Sequence, residues 1–209
     1  AALEEKLESD DPVLRKFAST NRNLAERLQS TASDMEFALQ QATDLQAELD
    51  YIEQDSHLMR RRLEVAGRKE VLGRVMITRL DSLPNVDSIE AGIKERNELI
   101  ASTSLAHIDA DEEFRTLIDR KRAVAELLPD PENAAAPAKK LVEKLVDDRQ
   151  ELLTSNLQSM GALLRQLVDN NIIANQLIER TDEFHKFLLG TLLWVRNFEF
   201  SSLQRFSQQ

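Results

Sequence analysis

The chain has 209 residues, 31% of them charged, and a formal net charge of −10 at pH 7, with five Gly, five Pro and no Cys. Without Cys there are no disulfides or Cys-ligated metal sites. The acidic balance argues against a general nucleic-acid surface, which needs clustered Lys and Arg to neutralise phosphate. Few breakers and abundant Ala, Leu, Glu, Gln and Arg predict long helices rather than sheets, in one or two domains.

In chain order, "ESDDPVLRKF" holds a helix start, with Asp10 or Asp11 as cap and Pro12 in the first turn, where its missing N–H costs nothing. From there apolar residues recur at 3/4 spacing: Leu14, Phe17, Leu24, Leu28, Met35, Ala38, Ala42, Leu45, Leu49, Ile52, Met59 and Leu63, interrupted by Asn21, Thr31 and Ser56. A seven-residue repeat held this long predicts a coiled-coil seam. Gly67 and Gly73 weaken the next stretch, and Pro84 disfavours helix at Leu83, so the first helical arm spans 12–83.

Middle helices are predicted over 86–128 on the stripe Ile89, Ile93, Ile100, Ile108, Phe114, Leu117 and Ile118, with "STSLAHIDADEE" a place for a bend. Pro129, Pro131 and Pro137 mark a linker over 129–137. The last long helix covers 138–197. Its stripe runs Leu153, Leu157, Met160, Leu164, Leu167, Asn171, Ala174, Ile178, Thr181, His185, Leu188, Leu192 and Val195, and 198–209 form a tail. Two long seams joined by a shorter helical pair predict one all-α domain over 1–209, an elongated antiparallel helical bundle or coiled coil.

Little in this pattern carries chemistry. His57, His107 and His185 lie far apart in sequence with no ligand-like neighbour at i+4, and no metal or catalytic role is expected of them. "DADEE", Asp109–Glu113, lacks the glycine and distal glutamate of a calcium loop and reads as a solvated acidic face or a helix N-terminus. No nucleophile elbow, phosphate loop, zinc-protease motif or dinucleotide fingerprint is present, so neither enzyme activity nor a cofactor is expected.

One basic cluster, Arg60, Arg61, Arg62, Arg68, Lys69 and Arg74, either meets anionic headgroups or pairs with acidic residues of neighbouring helices, and pairing is the favoured reading. The run from Phe187 to Val195 is about nine residues long, against the roughly 20 that a membrane-spanning helix needs. No signal peptide is visible, and the start without Met reads as a processed or excised piece of a longer chain.

Two stretches go further. "AGRKEVLGRVMITRLDSLP" (Ala66–Pro84) places Gly, Leu-Gly and Leu-Pro at the end of a long helix. "LVDDRQELLTSNLQSMGALLRQL" and "TDEFHKFLLGTLLWVRN", within Leu145–Asn197, close a long helix on Leu-Leu-Trp-Val. Together they resemble the N-terminal periplasmic helical region of the large mechanosensitive channels of the MscS superfamily, MscK type. The resemblance spans Leu14 to Asn197, and it departs at Gly190 and Thr191, where the family carries acidic or polar residues.

The resemblance implies a place on the periplasmic side of the bacterial inner membrane, next to the bilayer, in a homo-oligomeric channel that opens under tension in osmotic downshock. The partners it implies are the rest of the same chain and neighbouring subunits, with no nucleic acid and no small-molecule substrate. This region would assist assembly, form a vestibule or modulate gating without conducting. Phe187, Leu188, Leu192, Trp194 and Val195 are the candidate interaction residues, through packing within the bundle, contact between subunits, or lipid. The alternative is a structural or tethering coiled coil with no channel activity.

Overall fold

The computed structural model describes residues 12–66, 70–128 and 136–206, with side chains over 12–65, 72–128 and 136–193. Asp10, Asp11, Gly67, Pro129, Pro131 and the last three residues of the expected tail lie outside these. Five helices follow in order: α1 (Pro12–Ala66), α2 (Glu70–Asp81), α3 (Val86–Thr116), α4 (Arg120–Leu127) and α5 (Ala136–Phe206). There is no strand among the described residues, and the chain is an all-α helical bundle.

The boundaries follow local chemistry. α1 starts on Pro12, and α2 stops before Pro84, where the Ser82 N–H closes a turn on the Arg79 carbonyl (3.1 Å). Asn85 caps α3, its Oδ1 accepting from the Ser88 N–H (3.3 Å). The bend expected in "STSLAHIDADEE" is absent. α3 runs unbroken to Thr116, with the Ser102 and Thr116 hydroxyls donating to carbonyls three residues back. Asp119 then caps α4 by accepting from the Arg122 N–H (3.2 Å). α5 begins with Pro137 in its first turn and continues past the expected end to Phe206.

The chain forms two compact units. One comprises α1 through Leu39, Asn97–Thr116 of α3, α4, and α5 through Val168. Its core joins Leu14 and Leu24 of α1, Ala110 and Leu117 beside α3, and Val142, Val146, Leu153 and Met160 of α5. A second cluster holds Ala38 against Leu163 and Leu167, with Leu99 and Ile100 packed on it. Asn21 Nδ2 donates to the Leu145 carbonyl and Asn156 Nδ2 to the Leu24 carbonyl, both at 2.9 Å, so α1 and α5 advance together. α3 runs against them: Ile100 sits by Leu163 and Leu167, while the Leu117 carbonyl accepts from Gln150.

The other unit comprises α1 from Gln40, α2, α3 through Arg96, and α5 from Asp169. Leu49, Ile52, Met59, Met76, Leu177, Phe184 and Leu188 form its core. α1 and α5 are parallel here too, Glu53 meeting Arg180 (3.2 Å) and Arg60 meeting Phe187. α2 returns along α1, its Arg79 pairing with Asp55 (3.2 Å) and donating to the Tyr51 hydroxyl (2.9 Å). The first arm expected over 12–83 is therefore two helices, with α2 turned back along α1, while α2, α3 and α4 all run against α1 and α5. The two long helices are parallel because the chain reverses twice between them.

The α1 seam is buried or half-buried at every expected position. The α5 stripe needs correction. Its deepest row is Val142, Val146, Arg149, Leu153, Asn156, Met160, Leu163, Leu167, Asn170, Ala174, Leu177, Thr181, Phe184, Leu188 and Thr191, a regular 3/4 alternation after Val146. Leu157, Leu164, Asn171, Ile178, His185 and Leu192 lie one residue beside it and are half-buried. A helix touched on two sides buries a stripe wider than a single seam, so adjacent rows are both apolar and hard to rank from sequence.

From Ile89 every seventh residue is buried: Arg96, Thr103 and Ala110 of α3, and Leu117 just after it. Ile108 (53% exposed) and Ile118 (66%) are not core, the first being a residue off that face and the second lying in the turn after α3.

Arg120 grips Asp147 with Nε (2.6 Å) and Nη2 (2.8 Å), fastening α4 to α5. The hydrogen bond from Arg120 is the main reason that the Asp147 carboxyl lies below its ordinary range, offset in part by desolvation. A depressed carboxylate pKa stabilises the fold above the ordinary aspartate value, and that contribution fades as pH falls through the lowered one. Arg120→Gln should return Asp147 to the ordinary range in an NMR titration.

Core register can be tested by truncation. Leu163→Ala should cost about 2–5 kcal/mol in urea unfolding, and Leu164→Ala clearly less; equal losses would contradict the observed row.

Candidate functional site

Within the unit containing the N-terminal part of α1, Arg149 is the centre of a buried polar node. It is 7% exposed on the deep row of α5. Nε donates to Asn21 Oδ1 (2.7 Å), Nη2 to the Phe17 carbonyl (2.6 Å), and Nη1 pairs with Glu113 (3.2 Å). The guanidinium also lies 3.4 Å from the Phe17 ring centroid. Burial lowers the Arg149 pKa, and Glu113 opposes that shift. The node thus joins α1, α3 and α5 through one side chain. Asn156, fully buried a little further on, donates to the Leu24 and Leu152 carbonyls.

The second unit holds a differently treated cation. Arg96 is 6% exposed, its Nε donates to Asn171 Oδ1 (2.7 Å), and Nη2 has no partner among the described residues. Desolvation lowers its pKa, with Glu95 opposing. A buried guanidinium without a contacting carboxylate is a cost to the fold.

The same unit carries a surface cleft of about 320 Å³ between α1 and α5, lined by Ile52, Glu53, Ser56, His57, Arg60, Arg180 and Glu183. Arg180 bridges Glu53 (3.2 Å) and Glu183 (3.0 Å), and the hydrogen bond to Glu183 is the largest of the causes raising its pKa. At the cleft edge the Arg60 guanidinium stands 4.3 Å from the Phe187 ring centroid, and its Nε reaches Ser56 Oγ (3.4 Å).

One contact therefore joins the two sets of residues singled out from sequence. The rest disperse. Leu188 is fully buried in the core, while Phe187 and Leu192 are half-buried against it, so these three pack within the bundle. The side chains of Trp194 and Val195 lie outside the described residues, as do Arg68 and Lys69. Arg61 and Arg62 of α1 and Arg74 of α2 are exposed, and the consecutive positions of the first two spread them around their helix. The favoured pairing of this cluster with acidic neighbours does not occur at Arg60, which takes an aromatic face, nor at Arg61 and Arg62, which have no ion pair among the described residues.

Of the histidines, His57 lines the cleft, and His107 and His185 are half-buried on their helices. Among the described residues no three His, Asp or Glu side chains gather as a metal ion would require. Sequence reasoning missed Arg149, Arg96, Asn156 and the Asp55–Arg79 pair. The available signal was a polar residue recurring on a seven-residue row.

Compared with known proteins, the chain matches no family model and no curated sequence.

The two buried arginines should respond oppositely to substitution. Arg149→Ala strands Asn21, the Phe17 carbonyl and Glu113 and should cost about 3–5 kcal/mol in chemical unfolding. Arg96→Met should be neutral or stabilising by about 1–4 kcal/mol. Destabilisation at position 96 would mean that its guanidinium is compensated in solution.

Proposed function

We propose that this chain is the periplasmic helical region of a large mechanosensitive channel of the MscS superfamily, MscK type, which opens under membrane tension in osmotic downshock. In this reading the helices assist assembly, form a vestibule or modulate gating, and conduction belongs to other segments of the parent chain. Among the described residues no helix is long and apolar enough to cross a membrane.

The observation that carries the reading is the segment Leu145–Asn197. It bears the more specific resemblance, and it lies on one continuous helix whose deep row repeats every seven residues as far as Thr191. The buried surface of both units is spent on holding helices together, and the buried polar groups of the node bond mainly to each other and to backbone. Such an arrangement suits a part that transmits or maintains geometry.

The test is to read the gene on both sides of this segment and then patch-clamp spheroplasts expressing the complete chain. An upstream signal peptide, downstream apolar runs of about 20 residues and tension-activated conductance are expected. Deleting 12–206 should alter the opening threshold or assembly while leaving a conducting pore. A complete gene encoding no membrane span would end the channel reading and leave the tethering coiled coil.

A further inference from the structure

α1 carries a second stripe, directed away from the core. Tyr51 (50% exposed, its hydroxyl tip taken by Arg79 of α2), Leu58 (50%) and Val65 (90%) recur every seven residues on its solvent side, with exposed Ala47 alongside. Three large apolar side chains held at heptad spacing outside a core form the seam of a helix pair with one helix missing.

The charges beside this stripe identify the missing helix. At about 100° per residue, Glu48 and Arg62 fall on one flank of the stripe, and Asp50 and Arg61 on the other. All four are exposed. Among the described residues Glu48, Arg61 and Arg62 form no ion pair, while Asp50 only accepts from Gln46 one turn earlier (2.8 Å). On both flanks the acid precedes the base, so the stripe is acidic towards its N-terminal end and basic towards its C-terminal end.

We propose that this face pairs with the same face of a second copy of the chain, antiparallel and about a two-fold axis between residues 54 and 55. That axis sets Tyr51 of each copy level with Leu58 of the other. An antiparallel two-fold brings like flanks together. Glu48 therefore comes opposite Arg62 of the second copy, and Asp50 opposite its Arg61, with both pairs repeated by symmetry. A parallel pair brings opposite flanks together and would set Glu48 near Asp50 and Arg62 near Arg61 of the second copy, so the charge order selects the antiparallel arrangement. The apolar strip is narrow, and the resulting dimer is weak, concentration-dependent and salt-sensitive. This contact stands apart from the proposed channel role, since it needs only α1 and a second copy.

Sedimentation equilibrium of the 209-residue chain tests it. The unmodified protein should associate to dimers, and Glu48→Arg with Asp50→Arg should weaken self-association by about tenfold or more, as should Arg61→Glu with Arg62→Glu. Circular dichroism should show both variants folded. Mixing the two should restore a dimer, because every flank contact is then acid against base. Gln54→Cys, the sole cysteine of its chain, should form an intermolecular disulfide next to the two-fold. A monomer at all concentrations, association indifferent to charge reversal, or a mixture that fails to dimerise would each overturn the proposal.

Discussion

Helix α5 contributes buried side chains to all three hydrophobic clusters, and the requirement that one helix be covered on two sides governs the rest of the molecule. A helix covered on two sides needs a wide apolar stripe and two partners. Both partners must present matching rows over the same residues. α1 meets this with its own seven-residue seam, and α3 with buried residues at Ile89, Arg96, Thr103 and Ala110, and Leu117 just after it. Because α1 and α5 are separated by two chain reversals, they advance in the same direction. Side chain to backbone bonds such as Asn21 to Leu145 and Asn156 to Leu24 then lock one register of the parallel pair.

Burying polar residues in such a row costs free energy unless each finds a partner, and the two units handle this differently. Arg149 spreads its donors over α1 and α3 and stacks on Phe17, so a residue foreign to a core becomes a three-helix fastening. Arg96 has the same depth but bonds only Asn171 among the described residues. A purely apolar row could slide by a heptad with little penalty. A row carrying Arg149, Asn156 and Asn170 at fixed places makes such a slip expose or orphan them. Conformational specificity is what these residues give in return for their desolvation.

Under the proposed role, a helical region of a larger assembly would have to hold its shape while presenting surfaces to other chains. The apolar residues nearest the C-terminal end of the described side chains divide between interior and surface. Leu188 is wholly interior, and Leu189 and Leu193 face out. Arg60 is turned inward over Phe187, whereas Arg61 and Arg62 remain on the outer face with Leu58. Successive arginines thus serve opposite sides of one helix.

The sequence by itself determined the all-α class, the existence of the long helices, the helix end before Pro84 and the whole α1 seam, because heptad spacing and proline act locally; that the arm expected over 12–83 turns back after Ala66 was decided by packing. It also marked Asn21 and Thr31 as polar members of that seam, and both are buried. The depth order within α5 was decided only in the tertiary structure. Leu163 and Leu164, or Leu177 and Ile178, are equally apolar, and which of each pair goes deepest depends on where two neighbouring helices lie. The polar node was equally hidden. Arg149 reads as one charge among many until α1 and α3 bring Asn21, the Phe17 carbonyl and Glu113 around it. The meeting of Arg60 with Phe187 is of the same kind, since residues so far apart in the chain become neighbours only once two parallel helices fix their relative register.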